Sequence, residues 1–454
     1  HMRRTTALRA PLIALALVLV ASSCSGRKDD AKKDDSKVTV AGGTTDTAGG
    51  IDTSDCPDTG TAGISGDTLT LASSFPQTGL TAAFAQISKG YNAYFDKLNA
   101  AGGVEVAGKK YKIKVVDKDD EYNPAKTAQN ITQLVGAKGD KAFAVFNVVG
   151  TANNIAIREV LGEQCVPNVF AATGSPTWGN PDYPWTIGST LAPYSLEATA
   201  YAQYLIKEKP KATVAMLVQD DDFGKAYEES FKRAIKGTDI KVVAVSKYQA
   251  GAGDVTSQVT TLAATKADVF FNGGTLLACP DGLTKAKAAG WNPILFVSGT
   301  CISKTLMGIA GPAADKAIAA TNTIDPLNPA YADYPALKEY LATLKEFGAK
   351  DVDPENGIVA YGYTQAALLV EALKKTPELT RASFMDTVHN LDLETAGMLV
   401  DGAVIKTGPN DPFMAESLQM VQYDAAAKHF NNLGEIIDFE GKTADYTPKD
   451  LINN

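Results

Sequence analysis

From residue 67 onward, short apolar runs alternate with longer stretches in which apolar positions recur every three or four residues. The first pattern is that of a buried strand, the second that of a helix with one apolar face. "DTLTLASSF" predicts a strand and "GLTAAFAQISKGYNAYFDKLNAAGG" a helix stopped at Gly102 and Gly103. "KYKIKVVDKD" follows as a strand, then "NPAKTAQNITQLVGAKG" as a helix with Pro124 in its first turn. "KAFAVFNVVG", "NNIAIREVLGEQ" and "VPNVFAAT" give strand, helix and strand. After a linker through "NPDYPWTIGSTLAPYS" the helix "SLEATAYAQYLIKEK" restarts the alternation. "KATVAMLVQDDD", "DIKVVAVSKYQ", "ADVFFNGG" and "PILFVSGT" are strands. The helices between them are "GKAYEESFKRAIKG", "DVTSQVTTLAAT" with Asp254 as its cap, and "DGLTKAKAAGW".

Helices with one apolar face between short Val/Ile/Phe runs imply parallel sheets covered on both sides. Two α/β units result, 67–188 and 192–322. Beyond residue 325 the helices "YPALKEYLATLKEFG" and "GIVAYGYTQAALLVEALKK" and the strand "SLQMVQYD" belong to neither unit alone. They pass back between the two: lobe I takes parts of 326–400, lobe II parts of 400–440, and 441–454 is left as a tail. The expected architecture is α/β, two lobes joined by several crossings with a cleft between them.

The N-terminus changes the picture. His1 reads as a cloning scar ahead of Met2. Arg3, Arg4 and Arg9 then precede the apolar run "APLIALALVLVA", the plan of a secretory signal. The run leads into "ASSC", which resembles a bacterial lipobox with Cys24 as the lipidated residue. Removing residues 1–23 and their three arginines takes the formal charge from −9 to −12. Residues 24–62, mixed charges followed by Gly, Thr and Asp without apolar periodicity, read as a disordered tether. The protein is thus expected outside the cytoplasmic membrane, held by a lipid and otherwise soluble. Its acidic charge excludes a nucleic-acid partner.

Four further cysteines, Cys56, Cys165, Cys279 and Cys301, suit an oxidising compartment. Cys279 and Cys301 each follow a predicted strand with one helix between, so neighbouring parallel strands would bring them together. Cys56–Cys165 is then the second disulfide by default.

Enzyme chemistry finds little support. The natural chain has only His389 and His429, neither beside a strand-end nucleophile, and no G-x-S-x-G. No metal motif occurs. "DKDDEY" lacks the spaced loop and following Glu of a calcium hand, and "QDDDFG" reads as a solvated strand end or a partner for a ligand ammonium. No phosphate loop is present, and "SFPQTG" has one glycine where a phosphate cradle needs several. No cofactor is expected.

What remains is a small-molecule cleft. In open α/β sheets, ligands bind beyond the carboxyl ends of the strands. Those segments are "SFPQTG", "NVVGTANN" and "FAATGS" in the first unit, then "DDDFG", "NGGTLLACP" and "VSGTCIS". Small and hydroxylic residues dominate, with Phe75, Phe170 and Phe223 as apolar walls. Phe75, Gln77 and Thr78 are expected to wall one side.

The stretch "SFPQTGLTAAFAQISKGYNAYFDKLNAAGGVEVAGKKYKIKVVDKDDEYNPAKTAQNITQLV" resembles the type I periplasmic-binding-protein family, in particular leucine/isoleucine/valine-binding-like receptors of ABC transporters. "AATGSP", "DDDFGKAY", "GDVTSQVTTLAATKADVFF" and "AYGYTQAALLVEAL" extend the resemblance over about 67–435. It implies two Rossmann-like lobes joined by three crossings that close on a ligand, with a membrane permease as partner and no catalysis. It places the ligand carboxylate at Thr151 and at Ala171, Ala172 and Thr173, with Phe223, Thr275 and Thr300 closing from the second lobe. The acidic residue that holds an amino acid's ammonium in such receptors is replaced here by Thr300. A ligand ammonium buried without a partner would cost several kcal/mol, so the expected ligand is uncharged or carries a carboxylate. An amino-acid receptor, a sensory binding module and an exported hydrolase are the alternatives. The Cys279–Cys301 bridge would stiffen the second-lobe rim, and a monomer is expected.

Overall fold

The computed structural model describes residues 50–57, 60–136 and 141–454. The signal segment, Cys24 and most of the expected tether lie outside the described residues. No helix among the described residues is long and apolar enough to cross a membrane.

The first sheet is built from β1 (Thr68–Phe75), β2 (Val104–Val106), β3 (Lys109–Asp119), β4 (Ala144–Phe146), β5 (Asn168–Ala171) and β6 (Thr186–Gly188). Their order is β2-β3-β1-β4-β5-β6, and the two-residue strand Ile64–Ser65 pairs with β1. Apart from β2 and that short strand, the pairings are parallel. The second sheet holds β7 (Thr213–Gln219), β8 (Lys241–Tyr248), β9 (Val269–Gly273), β10 (Ile294–Val297), β11 (Ile318–Thr321), β12 (Gln419–Asp424) and β13 (His429–Asn432). Its order is β13-β12-β11-β10-β9-β7-β8, with β12 and β13 antiparallel. The molecule is two α/β lobes. The chain passes between them through 189–193, 322–328 and 399–418. Ile324 donates to the Met398 carbonyl at 2.7 Å and Val400 to that of Asn322 at 2.9 Å, so the second and third passages lie side by side.

Helices α1 (Gln86–Ala100), α2 (Pro124–Val135) and α3 (Thr151–Glu163) cover the first sheet. The second carries α4 (Tyr194–Glu208), α5 (Asp222–Ala234), α6 (Thr256–Ala264), α7 (Ala278–Ala288) and α8 (Lys304–Ala310). α9 (Pro335–Phe347), α10 (Gly357–Lys375) and α11 (Arg381–Val388) return to the first lobe. There Val359, Tyr363 and Leu373 share one core with Leu71, Tyr91 and Phe146. The approach of α1 to α10 depends on two glycines. A Cβ on Gly90 would lie 2.0 Å from the Val359 carbonyl oxygen, and one on Gly362 would lie 2.0 Å from that of Ile87.

Local differences from the sequence expectation have local causes. The helix expected from Gly79 is a 3-10 turn over Gly79–Ala85 before α1 begins. Gly79 has φ +77°, and Thr78, which would have capped a helix, donates its hydroxyl to Asp119 instead. α6 starts at Thr256, although the Asp254 carboxylate still accepts the Thr256 N–H at 2.8 Å. α7 starts at Ala278, so Cys279 lies in a helical first turn rather than on a strand end. It is nevertheless joined to Cys301, with Cα atoms 5.7 Å apart, and Cys56 is joined to Cys165 at 5.6 Å. The second bridge fastens chain that reads as tether. Ile51 also donates to Asp386, and Gly60 accepts from the Arg381 N–H at 2.8 Å. The expected tail is held as well. It forms short helices at Thr443–Tyr446 and Lys449–Ile452, and the Thr447 hydroxyl donates to Ser195 of α4 at 2.7 Å.

Candidate functional site

A cleft with about 810 Å³ of empty space, part of it open to solvent, lies where the strand ends of the two lobes meet. The first lobe contributes Val149, Gly150 and Thr151 after β4, and Ala172 after β5. Gly150 occupies the N-cap position of α3 with φ 104°, and no side chain caps this end. The first-turn N–H groups of α3 therefore keep their donor capacity at the cleft wall, where the helix dipole favours an anion. The Thr151 and Thr173 hydroxyls are 2.6 Å apart, and Thr173 also accepts the Ser175 N–H at 3.2 Å. Thr173 is thus a support that orients Thr151 from behind.

Aromatic rings form much of the remaining wall. Phe84, Tyr122, Tyr194, Phe223 and Tyr361 all line the cleft, with Ile324 and Ile358 beside them. Tyr194 meets Phe223 edge-on with centroids 5.1 Å apart, and Phe84 lies 5.8 Å from Tyr122. Burial pushes the Tyr361 hydroxyl up to about 12, with hydrogen bonds to Ser189 and Asn147 opposing the rise. Apolar walls with few fixed polar groups suit a small organic ligand.

The second lobe presents Thr275, Gly299 and Thr300. Thr300 is tied down, its hydroxyl 2.6 Å from that of Ser298. Thr275 differs: it is 5% exposed, and its Oγ1 has no hydrogen-bond partner. Thr323 Oγ1, on a passage between the lobes, is likewise buried and unpartnered, and both residues line the cleft. Buried polar groups left unmade cost about 1–3 kcal/mol each, so both hydroxyls are suited to a ligand group. The Cys279–Cys301 bridge lies four residues beyond Thr275 and one beyond Thr300.

Asp325 is the single acidic residue lining the cleft among the described residues. Its oxygens accept N–H groups from Leu327 at 3.1 Å and Phe430 at 3.2 Å, and burial holds its pKa up. Each oxygen is thus already engaged by a backbone N–H, and burial disfavours the charged form that an ammonium would need. Asp220, Asp221 and Asp222 do not line the cleft. Asp221 caps α5 and accepts from Gln219 Nε2 at 2.6 Å; Asp220 pairs with Lys247 at 3.4 Å; Asp222 accepts from Asn454 at 3.0 Å.

The structure brings together Thr151, Ala172, Phe223, Thr275 and Thr300 of the expected residues. It places Phe75 in the first-lobe core against Tyr91, 2% exposed, because its strand position points inward. Gln77 donates to Asp117 and Thr78 to Asp119, which folds the turn after β1 rather than the cleft wall. Ala171 is buried within β5, Phe170 is buried in the core beside Phe146, and Thr173 stands behind Thr151. Sequence reasoning passed over Tyr122, Tyr194 and Tyr361. Tyr122 ends "DKDDEY", itself a strand-end segment, so the strand-end rule could have found it. Tyr361 lies in "AYGYTQ" on α10, where helical periodicity gives no sign of a cleft.

The lobes touch across the cleft. The Tyr122 hydroxyl of the first lobe lies close enough to the Gln219 side chain of the second to be influenced by it. Lys304 of α8 pairs with Asp353 at 3.3 Å and with Glu355. Leu80, on the 3-10 turn, lines a small cavity with Gly251 and Leu277 of the opposite rim. The geometry is that of a cleft with its lobes in contact.

Two lobes of parallel-rich sheets with a solute-sized cleft at their strand ends define a ligand-binding protein. The periplasmic binding protein family profile matches residues 68–428, and the chain belongs to this family, one of binding proteins and not of enzymes. A curated relative, Leu/Ile/Val-binding protein homolog 3 of Brucella melitensis biotype 1, is 29% identical over 211 residues. That match takes in 45% of this chain and 54% of the relative, about half of its length. Among solved structures, a branched-chain amino acid ABC transporter protein from Thermus thermophilus with bound valine is 20% identical with a TM-score of 0.72. It covers 82% of this chain and 97% of its own. A solute-binding protein of an ABC transporter from Rhodopseudomonas palustris BisB5, in complex with 3,4-dihydroxybenzoic acid, is 21% identical with a TM-score of 0.67. The shares covered are 82% and 98%. These two likenesses concern the fold.

Proposed function

We propose that the protein is an extracytoplasmic solute receptor, lipid-anchored through Cys24, that captures a small organic acid or uncharged solute and delivers it as a monomer to an ABC importer. One observation carries the ligand class. The cleft has an uncapped helix N-terminus and a hydroxyl at Thr151 on one side, while its single acidic residue among the described ones, Asp325, is already engaged by two backbone N–H groups and disfavoured as a charge by burial. A carboxylate is favoured at the first, and an ammonium finds only a carboxyl already bonded to the backbone at the second. A ligand that bridges the lobes favours the closed form, and a permease that recognises that form receives the solute.

Branched-chain amino acids are the second reading, favoured by the names of the Brucella and Thermus relatives. The valine-bound and dihydroxybenzoate-bound structures show that one fold serves both ligand types. A thermal-shift screen, with hits confirmed by calorimetry, separates the readings. It should cover free amino acids, their deaminated acids, aromatic acids, amides and short fatty acids. The expected hits are acids or neutral solutes. Tight binding of leucine or valine, with the deaminated acid inactive, would overturn the ligand class.

A further inference from the structure

Away from the cleft, Asp411, Glu416 and Glu440 bring one carboxylate oxygen each to within 4.8 Å of one another. Two oxygens on opposite sides of a calcium ion, each at about 2.4 Å, stand about 4.8 Å apart, so the three oxygens are close enough to share one coordination sphere. Glu416 is fully buried. Its Oε2 accepts the Gly441 N–H at 2.6 Å, and its Oε1 accepts the Thr443 N–H at 2.9 Å and the Thr443 hydroxyl. These donors fix the carboxylate and suit its ionised form.

Glu440 supplies the second observation. Each of its carboxylate oxygens exposes less than 1 Å² to solvent, and neither has a hydrogen-bond partner. A shielded carboxylate with two unmade acceptors is costly unless something positive meets it. Lys406 acts on the group from a distance and forms no ion pair with it among the described residues. A hard cation would satisfy the three converging carboxylates at once.

We infer that Asp411, Glu416 and Glu440 form a divalent-cation site, with calcium as the fitting ion. All-oxygen donors select hard ions, and calcium tolerates the irregular geometry of ligands from separate segments better than magnesium does. The three residues come from the loop before β12, its last turn, and the segment after β13. A cation there ties the third passage between the lobes to the C-terminal helices. No short motif announces it, because 23 residues separate Glu416 from Glu440 in the chain.

The test uses the full chain, stripped with chelator and dialysed, with calcium alone as the probe. Millimolar calcium is expected to raise the melting temperature by about 3 °C. Terbium bound in its place should luminesce and be displaced by calcium. Glu440→Gln, which breaks no protein hydrogen bond made by that carboxylate, should remove most of the shift and the terbium signal. Asp411→Asn should weaken both. Neither a shift nor a terbium signal in the parent protein, an unchanged response in Glu440→Gln, or a magnesium shift equal to that of calcium would overturn the assignment.

Discussion

The two walls of the cleft are made differently. On the first-lobe side, Thr151 is held by Thr173, which is held in turn by Ser175, and the free donors are backbone groups of a helix end. Nothing there has to move to meet an anion. On the second-lobe side Thr275 keeps an unmade hydroxyl, and Gly299 lies against a buried Glu197, to which it donates its N–H at 2.8 Å. The first wall is preorganised, while the second has unmet hydrogen-bonding capacity that a ligand can complete. Such a division suits a receptor that loads on one lobe and is closed by contacts to the other, since only interactions gained on closure shift that equilibrium.

Removing the preorganised wall should have the largest effect. Thr151→Ala combined with Thr173→Ala is expected to weaken binding of any ligand found in the screen by about 100-fold or more. That corresponds to about 3 kcal/mol for the Thr151 hydrogen bond to a charged ligand group together with the Thr173 support that orients it. The fold should survive, which circular dichroism of the free protein checks. Calorimetry giving an unchanged affinity would sink the first-lobe placement of the ligand. Thr275→Val probes the other wall and should act in the opposite sense on the free protein. Replacing an unpartnered buried hydroxyl by a methyl should leave its melting temperature equal or higher, while ligand affinity falls about tenfold. A free protein that melts lower would show that Thr275 already has a structural partner, and the contrast between the walls would go.

The lobes and their sheets were legible because buried parallel strands read as apolar runs and amphipathic helices as a 3.6-residue period. The segment after residue 325 could be assigned to both lobes on similar grounds. The cleft was legible only in part, because the strand-end rule finds loops and not the direction of side chains. It found the segments that hold Thr151, Ala172, Phe223, Thr275 and Thr300, and the family resemblance singled out those residues within them. The rule also gathered Phe75, whose ring the pleat turns into the core, and Gln77 and Thr78, whose side chains are taken by Asp117 and Asp119. Tyr361 reaches the cleft from a helix that is buried nearly all round, Tyr363 and Gln365 included, so periodicity could not separate its role. Residues 50–57 looked like tether because composition is blind to a disulfide and to a bond such as Ile51 N–H to Asp386.

The smallest effect at neutral pH, and the finest test of the second wall, concerns the proton on Glu197. Burial pushes its carboxyl up to about 8, against the hydrogen bonds it makes with Gly299, Tyr201 and Tyr227. The bonding around Tyr201 shows why the neutral acid fits. That hydroxyl accepts the Ala320 N–H at 3.0 Å and lies 2.7 Å from the Val297 carbonyl and 2.9 Å from Glu197 Oε1. It has one proton, and a carbonyl can only accept. If Tyr201 donates to Val297, Glu197 must donate to Tyr201, and only the protonated acid can. An acid raised in the folded state binds a proton that the unfolded chain releases. Its contribution to stability is therefore full below the ordinary glutamate value and lost as pH rises through about 8. Glu197→Gln cannot both donate to Tyr201 and accept from Gly299 at one atom, so it should be less stable than the parent by about 1 kcal/mol in mild acid. Since glutamine does not titrate, the gap should narrow as pH rises above the ordinary glutamate value and be closed or reversed by about 8. Melting curves of the two proteins that stay parallel from pH 5 to about 9 would mean that Glu197 is ionised in the folded protein over that whole range, as it is in the unfolded chain, and the neutral-acid account of the second wall would go.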